Sequence, residues 1–386
     1  AEGPGGPIRR RGRGRAIESL TMMEKGEWNT PDGSWLLTLI EVTCAGQEPQ
    51  RYFLPLAIAW EDDAGDELKA NLVPWTLARV RQKARMGILY GAFGDPKFCR
   101  ALVRGIGGNQ DLALGKSRIE FRACPAFEHV ADGIELPVVH PALEQSNTAV
   151  YFDNRLFLKG YRRVQAGANP EAEVGRYLTE HTGFSQVVPV AGTIELKDPT
   201  GDSYTLALLQ HYVEQQNIGW NHALAYLDRF LAERLADPAP DRGGEDPHRL
   251  FCDAIRLLGQ RTGELHQALA QATDNPAFTP EPIIPDDIDA WCIQARQQAV
   301  ATLDALEASR DNHEDESIRE GIVRLLSLRQ HLLDCLAPTR LYPICDHRAL
   351  KTRLHGNYHL GQVLLVQNDF IITDFEGHPE QSLPAR

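Results

Sequence analysis

Thr352–Gly377, TRLHGNYHLGQVLLVQNDFIITDFEG, is the stretch whose reading decides the rest of the chain. Two short apolar runs lie within it, Val363–Val366 and Phe370–Thr373, separated by Gln367-Asn368-Asp369. That pattern predicts two strands joined by a hairpin turn. Gln362 stands just before the first strand and Asp374 just after the second. The hairpin therefore returns both to one end of the same ribbon. An amide oxygen and a carboxylate held side by side on rigid backbone suit Mg²⁺, a hard cation that takes oxygen ligands. His355 and His359 have the His-x-x-x-His spacing of some zinc sites, but the spacing serves zinc only on a helix. Gly356 and Gly361 oppose a helix there, so the pair is not read as zinc ligands, and a structural pair near a turn is the plain alternative to a functional role.

A second informative segment lies upstream, Glu144–Glu180. Glu144 to Thr148 is a polar turn, followed by a strand, a tight turn at Asp153-Asn154 and a second strand ending in Lys159. A helix is expected after Pro170, with Glu173 on its first turn. Tyr204–Val213, YTLALLQHYV, predicts another strand running into a linker.

The motif wording is specific. His355-Gly356-Asn357, Gln362 five residues after Asn357, and Asp374-Phe375-Glu376-Gly377 resemble the catalytic and metal loops of the protein-kinase-like superfamily. The fuller wording His-Gly-x-Tyr-His-Leu-Gly-Gln with Asp-Phe-Glu-Gly is similar to that of maltokinases, including the maltokinase domain fused to trehalose synthase. Phe157-Leu158-Lys159-Gly160-Tyr161-Arg162-Arg163 and Asn169-Pro170 with Glu173-Val174-Gly175-Arg176-Tyr177-Leu178 match that family as well.

The resemblance implies an α+β, bilobal protein-kinase-like fold. Its N-lobe would be an antiparallel sheet with an extra β-rich cap, and its C-lobe mainly helical. In the roles so implied, Lys159 and Glu173 form the ion pair that orients ATP phosphates, and Ser146, Asn147 and Thr148 contact phosphate. Gln210, His211, Tyr212 and Val213 are the candidates for the hinge against which adenine sits, with the one that meets the base left open, and His355 and Tyr358 lie toward the sugar. Gln362 and Asp374 hold Mg²⁺. The implied reaction is maltose plus ATP to maltose 1-phosphate, in trehalose and glycogen metabolism, with trehalose synthase as a fused or separate partner. The sequence departs from the family at Asn357, where an Asp is expected to accept the proton of the attacking hydroxyl. General-base help contributes roughly 10²–10⁴-fold, whereas phosphoryl transfer rests more on positioning and charge neutralisation. A slow enzyme is therefore expected.

Working outward, residues 1–15 are Gly-, Pro- and Arg-rich and read as a disordered basic tail. Residues 16–88 carry a β pattern and read as the cap, 89–213 as the N-lobe, and 214–386 as an incomplete C-lobe. Helices are expected over about 221–236, 249–270, 290–309 and 315–336, from apolar periodicity. Maltokinases begin with a further Trp-containing segment and continue past residue 386 with more helices, so the chain is expected to be a piece shortened at both ends.

Composition bounds the partners. The 386 residues carry a net charge of −13, which disfavours nucleic acid and anionic membranes. The longest apolar run, Tyr52 to Trp60, is too short to span a bilayer. The seven scattered cysteines lack a Cys-x-x-Cys and fit a reduced, cytoplasmic setting. Two other functions compete with a sugar kinase. One is a catalytically weak kinase-like binding or regulatory module attached to trehalose synthase, which Asn357 favours. The other is a relative of aminoglycoside or choline kinases, which shares the loops but not the Leu-Gly-Gln and Asp-Phe-Glu-Gly wording.

Overall fold

The computed structural model describes residues 17–62, 72–127, 137–141, 147–237, 246–338, 341–346 and 349–377. The basic tail at 1–15 and Ser146 lie outside them. The chain forms two compact units, one of Ala1–Glu264 with His355–Arg386 and one of Leu265–Leu354.

In the first unit β1 (Ile17–Thr30) and β2 (Gly33–Cys44) make a long hairpin, followed by β3 (Gln50–Phe53), β4 (Leu56–Trp60), β5 (Thr76–Gln82) and β6 (Arg85–Gly91). Helix α1 (Pro96–Gly107) follows, with Asp95 accepting from the Lys97 N–H at 2.9 Å as its N-cap and Pro at its first position. Then come β7 (Asp111–Leu114), β8 (Ser117–Ala123), β9 (Val138–Val139), β10 (Thr148–Phe152), β11 (Leu156–Gly160) and β12 (Arg163–Val164). Helix α2 (Pro170–His181), β13 (Val190–Lys197) and β14 (Ser203–His211) complete the β-rich part.

These strands form two antiparallel sheets. The first has the order β12-β3-β2-β4-β6-β5 with β1 on β2, and the second β7-β8-β13-β14-β11-β10-β9. The boundary expected at residue 88 falls inside β6, and β12 pairs with β3 in the first sheet. One apolar core runs across both, from Trp28, Trp35, Phe93 and Phe98 to Leu158, Leu206 and Leu209. Trp35 Nε1 and Tyr90 Oη both donate to the buried Asp95 carboxylate, so the helix cap also meets the indole's need for a partner.

The expected tight turn at Asp153-Asn154 is present, both residues having positive φ (47° and 53°) between β10 and β11. Asp153, Asn154 and Arg155 form the three-residue connection, closed by the Arg155 N–H donating to Phe152 O at 2.9 Å. A short third sheet is built from β15 (Asn217–Ile218), β18 (Val363–Val366) and β19 (Asp369–Ile372). Helix α3 (Gly219–Ala236) leaves directly from β15, and α4 is Arg249–Leu269. A Cβ at Gly219 would lie 2.9 Å from Leu360 O, so glycine lets the start of α3 close on the turn before β18.

In the second unit β16 (Glu281–Pro282) pairs with β17 (Leu350–Lys351). Between them run α5 (Pro285–Ser309), α6 (Glu316–Ser327), α7 (Arg329–Cys335) and α8 (Pro343–Asp346). The single helix expected over 315–336 is thus two, broken at Leu328. Helix α5 begins earlier than expected, at Pro285, where proline's fixed φ suits a first turn. Among the described residues no helix is long and apolar enough to cross a membrane.

Candidate active site

The β18–β19 hairpin is the predicted one. Gln367 and Asn368 take positive φ (47° and 66°), while Asp369 belongs to β19 and pairs with Val366. Arg261 of α4 clamps the hairpin with two bonds to Asp369, 2.8 and 2.7 Å long. The two-pronged guanidinium fixes the ribbon's orientation as well as its place. A parallel bridge from Val187 to Ile372, with the Ile372 N–H donating to Gln186 O at 2.9 Å, ties β19 to the segment entering β13.

Asp374 follows with φ +64°, in the left-handed region that non-glycine residues seldom adopt. Its carboxylate meets β11, where Lys159 Nζ lies 3.0 Å from Asp374 Oδ1. Lys159 also meets Glu171 Oε2 at 2.6 Å and Glu376 Oε2 at 3.0 Å. Glu171, Asp374 and Glu376 present carboxylate oxygens all within 4.8 Å of one another. Burial alone would discharge Lys159, but Glu171, Tyr161, Asp374 and Glu376 outweigh it and raise its pKa well above the ordinary lysine value. Burial pushes the Glu171 carboxyl up, and the Lys159 ammonium opposes it. For Asp374 burial also pushes up, but Lys159 and a hydrogen bond from Gln362 prevail and hold it below the usual carboxylate range.

The structure corrects the expected ion pair. Lys159 is joined to Glu171, not Glu173. Asn169 caps α2 by accepting from the Glu171 N–H at 2.9 Å, and Pro170 is the first helical residue. Positions two apart on a helix point about 200° away from each other, so only one of the two glutamates can face β11. Glu171 is 3% exposed, whereas Glu173 is only half-buried. Tyr161 supports the pair by donating to the same Glu171 Oε2 at 2.7 Å. Tyr161, Glu171 and Glu376 are residues that sequence reasoning did not assign to the site. Their signal was positional, since each lies two residues from one that was assigned. We expect Glu171→Gln to raise the KM for MgATP by roughly tenfold or more, the value of a charged hydrogen bond. Glu173→Gln should leave it nearly unchanged. Steady-state kinetics of the two variants check this.

The phosphate-side turn is partly as expected. Asn147 Nδ2 donates to Glu376 Oε2 at 3.3 Å, which brings it to the site. Thr148 is not part of the turn. It is the first residue of β10, buried, with its hydroxyl accepting from Arg162 Nε at 3.1 Å, and this removes it from the phosphate-contact set.

Gln210, His211, Tyr212 and Val213 line a cavity of about 250 Å³ together with Lys159 and Asp374. The His211 and Tyr212 N–H groups donate to Pro189 O and Arg155 O. Tyr151 and Phe157, with ring centroids 5.2 Å apart, also line it, as does Leu364.

His355 is a further correction. It is 5% exposed, its Nε2 lies 2.9 Å from Thr373 O, and its ring centroid is 4.5 Å from that of Phe375. A ring so enclosed cannot meet a sugar, and it instead pins the backbone just before Asp374. Among the described residues its buried Nδ1 has no partner. Burial lowers its pKa below the ordinary 6.5. The unfolded chain therefore takes up the proton first as pH falls. The stability tied to neutral His355 is complete above about pH 6.5 and is lost as pH drops from there through the folded value. With EDTA present, the urea midpoint should fall as pH is lowered through this window, and His355→Gln should flatten that slope. Tyr358, by contrast, is exposed, its hydroxyl 2.8 Å from Thr262 Oγ1. Asn357 is half-buried on the loop between His355 and Tyr358.

The donor set fits Mg²⁺. Asp374 and Gln362 are in contact and both offer oxygen, and the neighbouring acidic groups are carboxylates rather than softer ligands. The Lys159 ammonium faces all three carboxylates.

No protein-family model matches the chain. It is 30% identical over 245 residues to a glucosamine kinase of Streptacidiphilus jiangxiensis, covering 63% of this chain and 48% of that protein. It is 23% identical over 244 residues to a glucosamine kinase of Mycolicibacterium smegmatis, covering 63% of this chain and 53% of that one. The chain thus spans about half the length of the curated relatives it matches. Among solved structures, a glucosamine kinase in complex with glucosamine, ADP and inorganic phosphate aligns with a TM-score of 0.57 at 19% identity, over 96% of this chain and 70% of that one. A glucosamine kinase in a separate crystal form aligns at 0.58 and 19%, over 95% and 69%. The chain shares the fold of these sugar kinases, and its sequence similarity is to sugar kinases also.

Proposed function

We propose that this chain acts as an ATP-dependent sugar kinase that passes the γ-phosphoryl group of MgATP to a hydroxyl of glucosamine. The observation that carries the reading is the Lys159 ammonium, held between Glu171 on one side and Asp374 on the other. A cation so placed orients the α- and β-phosphates. Asp374 and Gln362 are the residues that would hold Mg²⁺, whose charge offsets that of the transferring phosphoryl group. Val213 is the hinge residue for the base, since its N–H has no partner among the described residues. Asn357 stands at the position that meets the acceptor hydroxyl. Its amide can hold that hydroxyl by a hydrogen bond but takes no proton at neutral pH.

Glucosamine comes before other sugars because the two curated relatives and the solved structures named above are glucosamine kinases. Maltose as acceptor and trehalose synthase as neighbour rest on the motif wording alone. A second reading, a kinase-like module that binds MgATP with little turnover, is favoured by Asn357. The test is ADP release from MgATP with glucosamine, maltose or no sugar, with the product followed by ³¹P NMR. Release stimulated by glucosamine supports the proposal. Stimulation by maltose alone moves the acceptor to the disaccharide. Nucleotide binding without turnover on either sugar favours the second reading.

A further inference from the structure

We propose that the side-chain amide of Gln210 reads the edge of the nucleotide base, and that it admits guanine as well as adenine nucleotides. The inference rests on the nucleotide site proposed above and adds its base selectivity.

Gln210 lies on β14, where it pairs with Phe157 of β11, while Leu208 pairs with Lys159. Residues paired across antiparallel strands share a sheet face, as do residues two apart on one strand. Gln210 is therefore on the face that carries Lys159, one step nearer the hinge. Lys159 marks the phosphate end of the cavity and Val213 the hinge end, and Gln210 lines the space between. That is where the ring edge of a bound base must come.

Gln210 is 5% exposed, yet its side-chain amide makes no hydrogen bond among the described residues. Buried amides are ordinarily partnered, because an unmet donor or acceptor costs free energy. Among the described residues, the only sealed and unpartnered side-chain polar atoms are Gln165 Oε1 and His355 Nδ1. The Gln210 amide is thus not sealed, and the opening it has is the cavity it lines. A polar group kept dry on every other side and unpaired toward a pocket is met by a ligand.

The amide carries both a donor and an acceptor. Its carbonyl accepts from the 6-amino group of adenine, and its NH₂ donates to the 6-oxo group of guanine. Among the described residues no neighbour fixes which way round it stands, so turning the amide by half a revolution costs little. A site that reads with a rotatable amide does not reject either purine.

The test is isothermal titration of the protein with MgADP and MgGDP, together with Gln210→Glu and Gln210→Leu at pH 8. The wild-type dissociation constants are expected within about tenfold of each other, less than the discrimination that a fixed, mismatched polar group imposes. Gln210→Glu offers only acceptors and should shift the ratio toward ADP by about tenfold or more. Gln210→Leu, which removes both functions without adding charge, should weaken both nucleotides alike. If the wild type binds ADP but rejects GDP, or if neither variant alters binding, the base-reading role of Gln210 is overturned and the nucleotide site stands. If neither nucleotide binds the wild type, the proposed kinase function falls and this inference falls with it.

Discussion

Lys159→Met is expected to lower kcat/KM for MgATP-dependent phosphorylation by about 10²–10³-fold, comparable to removing one strong preorganised electrostatic contact from an active site. Lys159 touches Glu171, Asp374 and Glu376 at 2.6, 3.0 and 3.0 Å, so its loss does more than remove a phosphate ligand. Three carboxylates would then face one another without the Lys159 ammonium between them. Removing one partner of a buried ion pair costs about 3–5 kcal/mol, and Glu171, 3% exposed, is the residue left stranded. The variant should therefore also melt earlier at pH 7. Without the ammonium, the Glu171 carboxyl is raised above its unfolded value by burial. The folded state then binds the proton more tightly than the unfolded chain. Stability is fully present below the unfolded value and is lost as pH rises through the folded one. Thermal melts from pH 5 to 8 should show the variant recovering on the acid side, where the parent protein, with its depressed His355, loses stability. A variant as active as the parent would remove Lys159 from the phosphate site.

Asn357→Asp is expected to raise sugar-dependent turnover by about 10²–10⁴-fold, the usual contribution of a positioned general base. The physical difference is one proton. A carboxylate takes the proton of the attacking hydroxyl as the bond to phosphorus forms, whereas an amide leaves it in place. Placing the phosphates and neutralising their charge do not depend on this residue, so the KM for MgATP should stay close to that of the parent. A pH–rate profile separates the two variants, because the Asp form should acquire an acid limb that the Asn form lacks. Equal turnover in both would show that residue 357 is not where the hydroxyl loses its proton.

The β18–β19 hairpin was legible because its signals are local. Apolar runs of four residues, a two-residue turn that accepts positive φ, and flanking Gln362 and Asp374 all lie within thirteen residues of one another. Strand pairing across so short a loop leaves little choice of register. The Asp153-Asn154 turn was legible for the same reason, and with it the placement of Lys159 on β11. The start of α2 was legible too, from an Asn-Pro pair that caps and opens a helix.

The choice between Glu171 and Glu173 was not legible. Both are first-turn acids that the helix dipole favours equally. Which of them faces β11 depends on the rotation of α2 against the second sheet, and that is set by packing of Val174, Tyr177 and Leu178 into the buried interior. His355 reads as a loop histidine near a sugar site in one dimension. Only the folding of its loop against Phe375 turns it into a buried brace on Thr373. Thr148 reads as turn because its neighbours are polar, and it became strand because its backbone pairs with Gly160. The sequence by itself determined the local elements and the chemical kinds at the site, because those follow from short-range periodicity, turn geometry and donor type. The tertiary structure alone decided which side chains meet, because Lys159 and Asp374 are brought to 3.0 Å across 215 positions of chain only when β11, α2 and the hairpin pack together.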